Sequence, residues 1–487
     1  MKKMIAFMMS LLLLCGCSTV ISDNTTNKEE VAEAYDLGFT ESETDASYQI
    51  NDSTYITLGN EDVKITNAGT YILEGSLENA SIIVEVSEND DVQLVLNGVD
   101  IRSGDFAGIY IVEGDEITIT LAPDTVNSIS DSGTYTQIDS NDVDALIYSK
   151  ADLIINGSGT LKLYSQYNHG IVSKDDLTIT GGTYDIDVMG RGISGKDCLK
   201  ISDGYFDIVS GKDALKSDNE EDEYRGYVNI TGGEFVITCG GDAIYGYSLV
   251  NIEDGKFDIT TKTSSDTDSY KAIKSEKQIT ISGGEININA ADDGIHSDRD
   301  ILITSATINI VSDDDAIHAD GMVQIDDGEI SIDAHEGIEG TYVQINGGNI
   351  SITASDDGIN AGQKISDYTA TIEINGGYIS IDMGQGDTDA VDSNGYIYVN
   401  GGTLDIKANS PFDYDAGAEY NGGTIIVNGT QTDSITNQMM GGGGMFGNQM
   451  PGQPGGFNNG YQQVPDGSEV PSGVLQPGDH HGHGGWH

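Results

Sequence analysis

A turn dipeptide, Gly-Gly or Asp-Gly, recurs along the chain at Gly181-Gly182, Asp203-Gly204, Gly232-Gly233, Asp254-Gly255, Gly283-Gly284, Asp327-Gly328, Gly347-Gly348, Gly376-Gly377, Gly401-Gly402 and Gly422-Gly423. Over the first five, the second members lie 22, 29, 22 and 29 residues apart (204 − 182, 233 − 204, 255 − 233, 284 − 255). A unit of about 22 residues therefore repeats, and the surplus must leave as loops. Between turns the apolar residues alternate, as in Leu177, Ile179, then Tyr184, Ile186, Val188, which is the period of a strand and excludes helix. A unit of two or three short strands cannot bury its apolar side alone, so neighbouring units must stack. Each strand then lies parallel to its equivalent in the next unit, about 4.8 Å away. Crossovers between parallel strands are right-handed. The expected class is all-β, a right-handed parallel β-helix.

One column shows the stacking. The second position after the turn runs Tyr184, Phe206, Phe235, Phe257, Ile286, Ile308, Ile330, Ile350, Ile379, Leu404, Ile425, and the alternation assigns it to the interior rather than to a sugar-binding strip. Outward aromatics, Tyr110, Tyr245, Tyr247, Tyr396 and Tyr398, are the ones free to stack on sugar. Segments from Asn67 to Asp131 share the strand grammar with a less regular period, so they read as the first coils. The β-helix is expected over residues 46–430, in about 17 coils. Cys239 falls on an inward position and Cys198 on an outward one, which argues for two free thiols.

The ends differ in character. Lys2 and Lys3 precede an apolar run from Met4 to Leu14, a basic start and short apolar core of the secretory type, too short to span a bilayer. Leu14-Cys15-Gly16-Cys17 resembles the lipobox of bacterial lipoproteins, a likeness that implies acylation of Cys17, removal of residues 1–17 as a signal, and an extracytoplasmic protein held to the cell membrane by lipid alone. Residues 18–45 are polar and acidic and read as a flexible tether. Residues 431–487 are low-complexity Gly, Met, Pro and His sequence that reads as disordered. The last residues, with His480, His481, His483 and His487, offer imidazoles to a transition metal.

With 22 Lys and Arg against 80 Asp and Glu, the net charge is −58, which repels nucleic acid and anionic membrane. Partners must be cations or neutral surfaces. The acid concentrates just before a Gly-Ile or Ala-Ile step: Asp292, Asp293 and Asp298; Asp313, Asp314, Asp315 and Asp320; Glu336; Asp356 and Asp357; Asp387, Asp389 and Asp392. In register, these would stack like charge on like charge at strand spacing. Calcium, which takes six to eight oxygen ligands in flexible geometry, suits such an array, and these residues are its candidate ligands. His296 and His318 lie in register beside them and are not assigned as ligands. Neither the EF-hand spacing nor the RTX nonapeptide is present.

The segments NAGTYILEGSL, VQLVLNGVDI and AGIYIVEGDEITITLAPDTVNSISD, with the later GG and DGI coils and the Gly-Met-Pro tail, resemble the bacterial carbohydrate-binding domain family over nearly all of residues 45–430. The resemblance implies a surface β-helix related in fold to calcium-dependent pectate lyases, binding plant polysaccharide such as cellulose or polygalacturonate. The expected function is a non-catalytic, calcium-stabilised binder of polysaccharide. Two alternatives compete with it: a calcium-dependent lyase acting by β-elimination, and a structural or adhesive spacer. A lyase needs a base, and the corner lysines Lys216, Lys271 and Lys274, with Lys196 and Lys212, precede the densest acid. This separation leans against catalysis without deciding it.

Overall fold

A computed structural model describes residues 35–263, 269–384 and 388–437, all within one compact unit, Met1–Met440. The chain winds as a parallel β-helix with three strands per coil. A representative coil takes Ile295–Ser297, Asp300–Ile303 and Thr307–Ser312, and each strand pairs in parallel with its equivalent in the next coil. We call the three resulting ladders sheets I, II and III. Sheet I begins in the ends of Gly69–Glu78 and Val92–Arg102, continues through Val126–Ser130 and runs to Thr424–Val427, its later strands following the glycine turns. Sheet II runs from Val63–Ile65 to Asp413–Tyr414, and sheet III continues from it around the next corner, as in Asp176–Ile179 and Cys198–Ile201. Twice the sheet II and III strands fuse into one, at Asp315–Ile325 and Glu336–Ile345. Thr430–Thr432 instead folds back antiparallel on the last sheet I strand. Sheet II has 15 rungs among the described residues, fewer than the 17 expected, because segments such as 131–144 and 218–226 leave the coil as loops. No helix among the described residues is long and apolar enough to cross a membrane.

The interior follows the alternation. Sheet I strands repeat an exposed-buried pattern, as in Tyr205–Ser210, and the inward column is continuous apolar core. Tyr184, Phe206, Phe235 and Phe257 stack face to face, with centroids 4.6, 4.8 and 4.7 Å apart and planes within 3°. The Tyr184 hydroxyl donates to the Gly181 carbonyl at 2.7 Å, so an otherwise apolar stack admits one phenol. Gly204 precedes this column with φ +135°, and a Cβ there would lie 2.9 Å from the Phe206 ring; only glycine fits both the backbone and the space.

An amide ladder borders the later turns. Asn421, Asn400 and Asn375 each donate Nδ2 to the side-chain oxygen of the preceding member, Asn400, Asn375 and Asn346, at 2.8, 2.8 and 2.9 Å. Asn346 ends the series on Asp326 Oδ1 at 2.7 Å, where a carboxylate serves as terminal acceptor. Asn375→Ala removes two of these bonds and is expected to cost about 1–2 kcal/mol. The check is the urea midpoint beside that of Asn349→Ala, whose amide makes an exposed bond to Glu329; equal shifts would deny the ladder any role.

Residues 35–48 form a strap across the outside of sheet III. Tyr227 Oη donates to the Asp36 carbonyl at 2.8 Å, Asn229 Nδ2 to Leu37 O at 2.9 Å, Lys200 Nζ to Gly38 O at 3.0 Å and Thr180 Oγ1 to Glu43 O at 2.8 Å. Nearer the first coils, Asn156 reaches Asp45 O and Gln93 reaches Ser47 O. The part of the expected tether from 35 to 45 is thus docked. Composition did not show this, because the partners lie more than 100 residues away. Cys198 points outward as expected, yet is buried with Tyr227 and Leu249 beneath Tyr35 and Leu37. Both described cysteines are free and buried.

Candidate functional site

The corner where sheet I passes into sheet II is built from a repeated Asp-(Gly/Ala)-Ile-X step. The small residue is forced by the neighbouring rung: a Cβ on Gly337 would come 2.3 Å from the Gly358 carbonyl oxygen. The acid before it has a structural duty. Asp213, Asp242, Asp293 and Asp357 each accept, on Oδ1, the backbone N–H of the same position one rung later, at 3.1, 2.9, 3.2 and 3.2 Å. Residue X points outward on sheet II, and in register it runs Lys216, Tyr245, Lys274, His296, His318, Glu339, Asn360, Asp392, Asp413. The column turns from cationic to anionic along the coils.

In the middle rungs the acid is interleaved with cations, so the expected naked stack of like charges does not exist there. Lys271 Nζ lies 2.8 Å from Asp292 and 3.2 Å from Asp293. His296 sits between Asp293 (Nδ1, 2.7 Å) and Asp298 (Nε2, 3.0 Å). His318 sits between Asp315 (Nδ1, 2.6 Å) and Asp320 (Nε2, 3.4 Å), with Glu339 at 3.2 Å from Nδ1. Lys364 closes the set on Glu339 at 3.0 Å. Burial pushes the Asp293 carboxyl up, but the His296 bond and the charges of Lys271 and the imidazoles outweigh it and hold it at about 2. The same balance holds Asp298 at about 2 through bonds from His296 and Glu276. Burial lowers His318, yet its bond to Asp315 and the charges of Glu339 and Asp315 carry it up to about 9.

The later rungs lack that compensation. Glu336 is pushed up to about 7 by burial and by the charges of Asp315, Glu339 and Asp356. Asp357 is pushed up to about 7 by burial and by Asp392, Glu336 and Asp356, and Asp392 to about 6 by burial, Asp413 and Asp389. Carboxyls pushed up by burial and by neighbouring carboxylates mark a place where a dication would be stabilising. The donors there are almost all oxygen, which fits calcium; the middle rungs, with imidazoles, do not.

The structure brings several sequence-predicted ligands into groups with donor atoms within 4.8 Å: Asp292, Asp293 and Asp314; Asp315 with His318 and Glu339; Glu336 and Asp356 with His335. Asp298 and Asp320 are partners of the histidines, Asp313 is exposed, and Asp387 and Cys17 lie outside the described residues. Sequence reasoning named Lys271 at the corner and His296 and His318 in register, but paired none of them with the acid, and it left Glu339 and Lys364 out of the edge. Register with Lys216 and Tyr245 marks the histidines and Glu339, whereas Lys271 and Lys364 reach the edge from other positions.

Of the outward tyrosines, Tyr110 is corrected. It is fully buried under the 131–144 loop, against Phe106 at 5.5 Å, and its hydroxyl donates to Asp139. Tyr245 is flanked by Lys216 and Lys274 at 4.4 and 5.6 Å from its ring centre, and Tyr247 by Lys277 at 5.4 Å. Tyr396, 39% exposed, and Tyr398 stack at 6.0 Å with planes 17° apart on the outside of sheet III.

A family model described as carbohydrate-binding domain-containing protein matches residues 59–316 and 315–447. A protein of Acetivibrio thermocellus with the same description is 34% identical over 133 residues, 27% of this chain and 46% of that protein; the match spans just under half the relative's length. A solved structure described as the polysaccharide lyase-like protein from C. thermocellum, a gadolinium derivative, is similar at 27% identity and a TM-score of 0.40, over 52% of this chain and 97% of that one.

Proposed function

Because the chain belongs to the carbohydrate-binding domain-containing protein family, we propose that it is a non-catalytic surface binder of plant cell-wall polysaccharide, cellulose or polygalacturonate, anchored through an acylated Cys17 and stiffened by calcium in its later rungs. The observation that carries the calcium reading is the crowding of carboxylates on the later rungs, where donor atoms of Glu336 and Asp356 lie within 4.8 Å of each other and Asp392 stands in register with Asp413. Hard dications held along the rungs that carry Glu336, Asp356, Asp357, Asp389 and Asp392 would relieve that crowding, and their open coordination positions can take uronate carboxylates. Bridging in this way lets a chain of charge −58 hold an acidic polymer. The Tyr396 and Tyr398 pair supplies a flat outward surface for a pyranose ring.

Absence of catalysis is supported by the state of the lysines at this edge. Lys216, Lys271, Lys274 and Lys364 each hold a carboxylate, at 2.8, 2.8, 3.1 and 3.0 Å. An ammonium fixed in an ion pair stays protonated and is a poor general base.

Incubation with cellulose, polygalacturonate and a neutral pectic glycan, with and without chelator, tests the reading through sedimentation and unsaturated-product absorbance. The expected result is co-sedimentation that falls at least tenfold on chelation for polygalacturonate, with no product. Product would establish the lyase instead, and no sedimentation with any glycan would leave the spacer. Cys17→Ala is expected to move the protein from the membrane fraction to the soluble extracytoplasmic fraction; retention on membranes would remove the lipid anchor.

A further inference from the structure

The histidines of the middle rungs have an arrangement that ion pairing alone does not require. His296 and His318 occupy the same position on adjacent rungs, with ring centres 4.7 Å apart. Both turn Nδ1 toward the corner, where Asp293 Oδ2, Asp315 Oδ2 and Glu339 Oε2 lie 2.7, 2.6 and 3.2 Å from one or other imidazole. Both turn Nε2 the opposite way, onto Asp298 and Asp320. A carboxylate on the far nitrogen is the usual support of a metal-binding imidazole, since it fixes the ring and leaves the near nitrogen as the ligand.

The carboxylates are oriented in the same manner. Asp293 Oδ1 is occupied by the Asp315 N–H at 3.2 Å, and Glu339 Oε1 by Lys364 at 3.0 Å. In each case the other oxygen is the one that faces an imidazole, and Asp293 Oδ2 also meets Lys271 Nζ at 3.2 Å, an ammonium that must swing away as the metal enters. Side-chain exposure of Asp293, Asp315 and Glu339 is 5, 9 and 8%, and of His296 and His318 14 and 12%. Donor atoms of Asp293, His296 and His318 fall within 4.8 Å of one another, as do those of Asp315, His318 and Glu339.

We infer that these rungs form a site for a transition-metal dication of the zinc class, with His296 and His318 giving nitrogen, Asp293 giving oxygen, and the fourth ligand coming from Asp315 or Glu339, which meet His318 in a second, overlapping group. Tetrahedral ligands at zinc distances stand roughly 3.3 Å apart. The His318–Glu339 separation of 3.2 Å already matches, and the two shorter pairs, at 2.7 and 2.6 Å, need to open by roughly two thirds of an ångström. Calcium is disfavoured, because it prefers oxygen donors alone. The site neighbours the proposed calcium rungs, since Asp315 pairs in register with Glu336, and its test is run in calcium so that the two readings fail separately.

The test uses the full chain carrying His480→Ala, His481→Ala, His483→Ala and His487→Ala, so that the terminal imidazoles cannot contribute. After chelator stripping, cobalt(II) is titrated in the presence of millimolar calcium. The expected result is one equivalent bound, with visible d–d absorption that zinc displaces and calcium does not. Adding His296→Ala and His318→Ala should weaken cobalt binding at least tenfold. Unchanged binding in that variant, or displacement by calcium, overturns the inference. Should the added substitutions unfold the coils, pulsed electron paramagnetic resonance of copper(II) on the tail-substituted protein decides. Two coordinated imidazoles support the site and fewer overturn it.

Discussion

Phe235→Ala is expected to lower the unfolding free energy by about 3–5 kcal/mol, read as a large fall in the urea midpoint. The ring is 1% exposed and lies between Phe206 and Phe257 with both faces covered. Its removal opens a cavity in a stack whose spacing is set by backbone bonds on three sheets. The rungs therefore cannot close over the gap, and the cost should fall at the upper end for such a change. Phe235→Leu keeps much of the volume and should cost less than half as much. Val236→Ala is the control: the adjacent side chain points outward and is 36% exposed, and its loss should shift stability by no more than ~0.5 kcal/mol. Equal effects at 235 and 236 would mean that the aromatic column is not the core of this part of the coil.

The second large effect is expected at the strap. Lys200 Nζ meets Glu43 Oε1 at 2.8 Å with side chains only 5 and 11% exposed, and Thr178 and the Thr40 N–H complete the carboxylate's bonds. Glu43→Ala leaves a buried ammonium unpaired, a change worth about 3–5 kcal/mol where the group cannot escape. Here it should release the strap, so hydrogen exchange over residues 35–46 should accelerate while the core strands stay protected. Replacing both partners, Glu43→Leu with Lys200→Met, removes the stranded charge and should recover most of the loss. Burial pushes the Glu43 carboxyl up, but Lys200, Thr40 and Thr178 outweigh it and hold it below the usual glutamate range. A depressed folded value means the contribution is present above the unfolded value, about 4.3, and is lost as pH falls through the folded one. Strap protection that is unchanged from neutral pH to below ~3 would contradict this account.

The architecture was legible because the evidence for it is local and repeated. Each Gly-Gly or Asp-Gly turn sets a register, and with it the place of Tyr184, Phe206, Phe235 and Phe257 follows by counting. The acidic corner was legible as a column for the same reason. Counting does not say what stands between columns. Lys271 reaches Asp292 and Asp293 from the previous rung, and Lys364 reaches Glu339 from a loop; a side chain's reach, not its register, decides these pairs. Loops hide surfaces that the alternation marks as outward, as at Tyr110. The docking of Glu43 on Lys200 joins positions 157 residues apart (200 − 43) with no periodicity to announce it.

The direction of the strap has a mechanical consequence. Its first described residues sit by Tyr227 and Asn229, well along the coils, and it runs back toward the first ones at Asn156 and Gln93. A pull arriving through residue 34 meets the contacts one at a time, Leu37 on Asn229 before Glu43 on Lys200, rather than all together. The strap should then peel at low force and pay out about 50 Å of chain over residues 35–48. The coils, loaded only after that slack is spent, are spared the first jolt. On the proposed anchoring through Cys17 and binding of polysaccharide along the coils, the strap would serve as a shock absorber between the two.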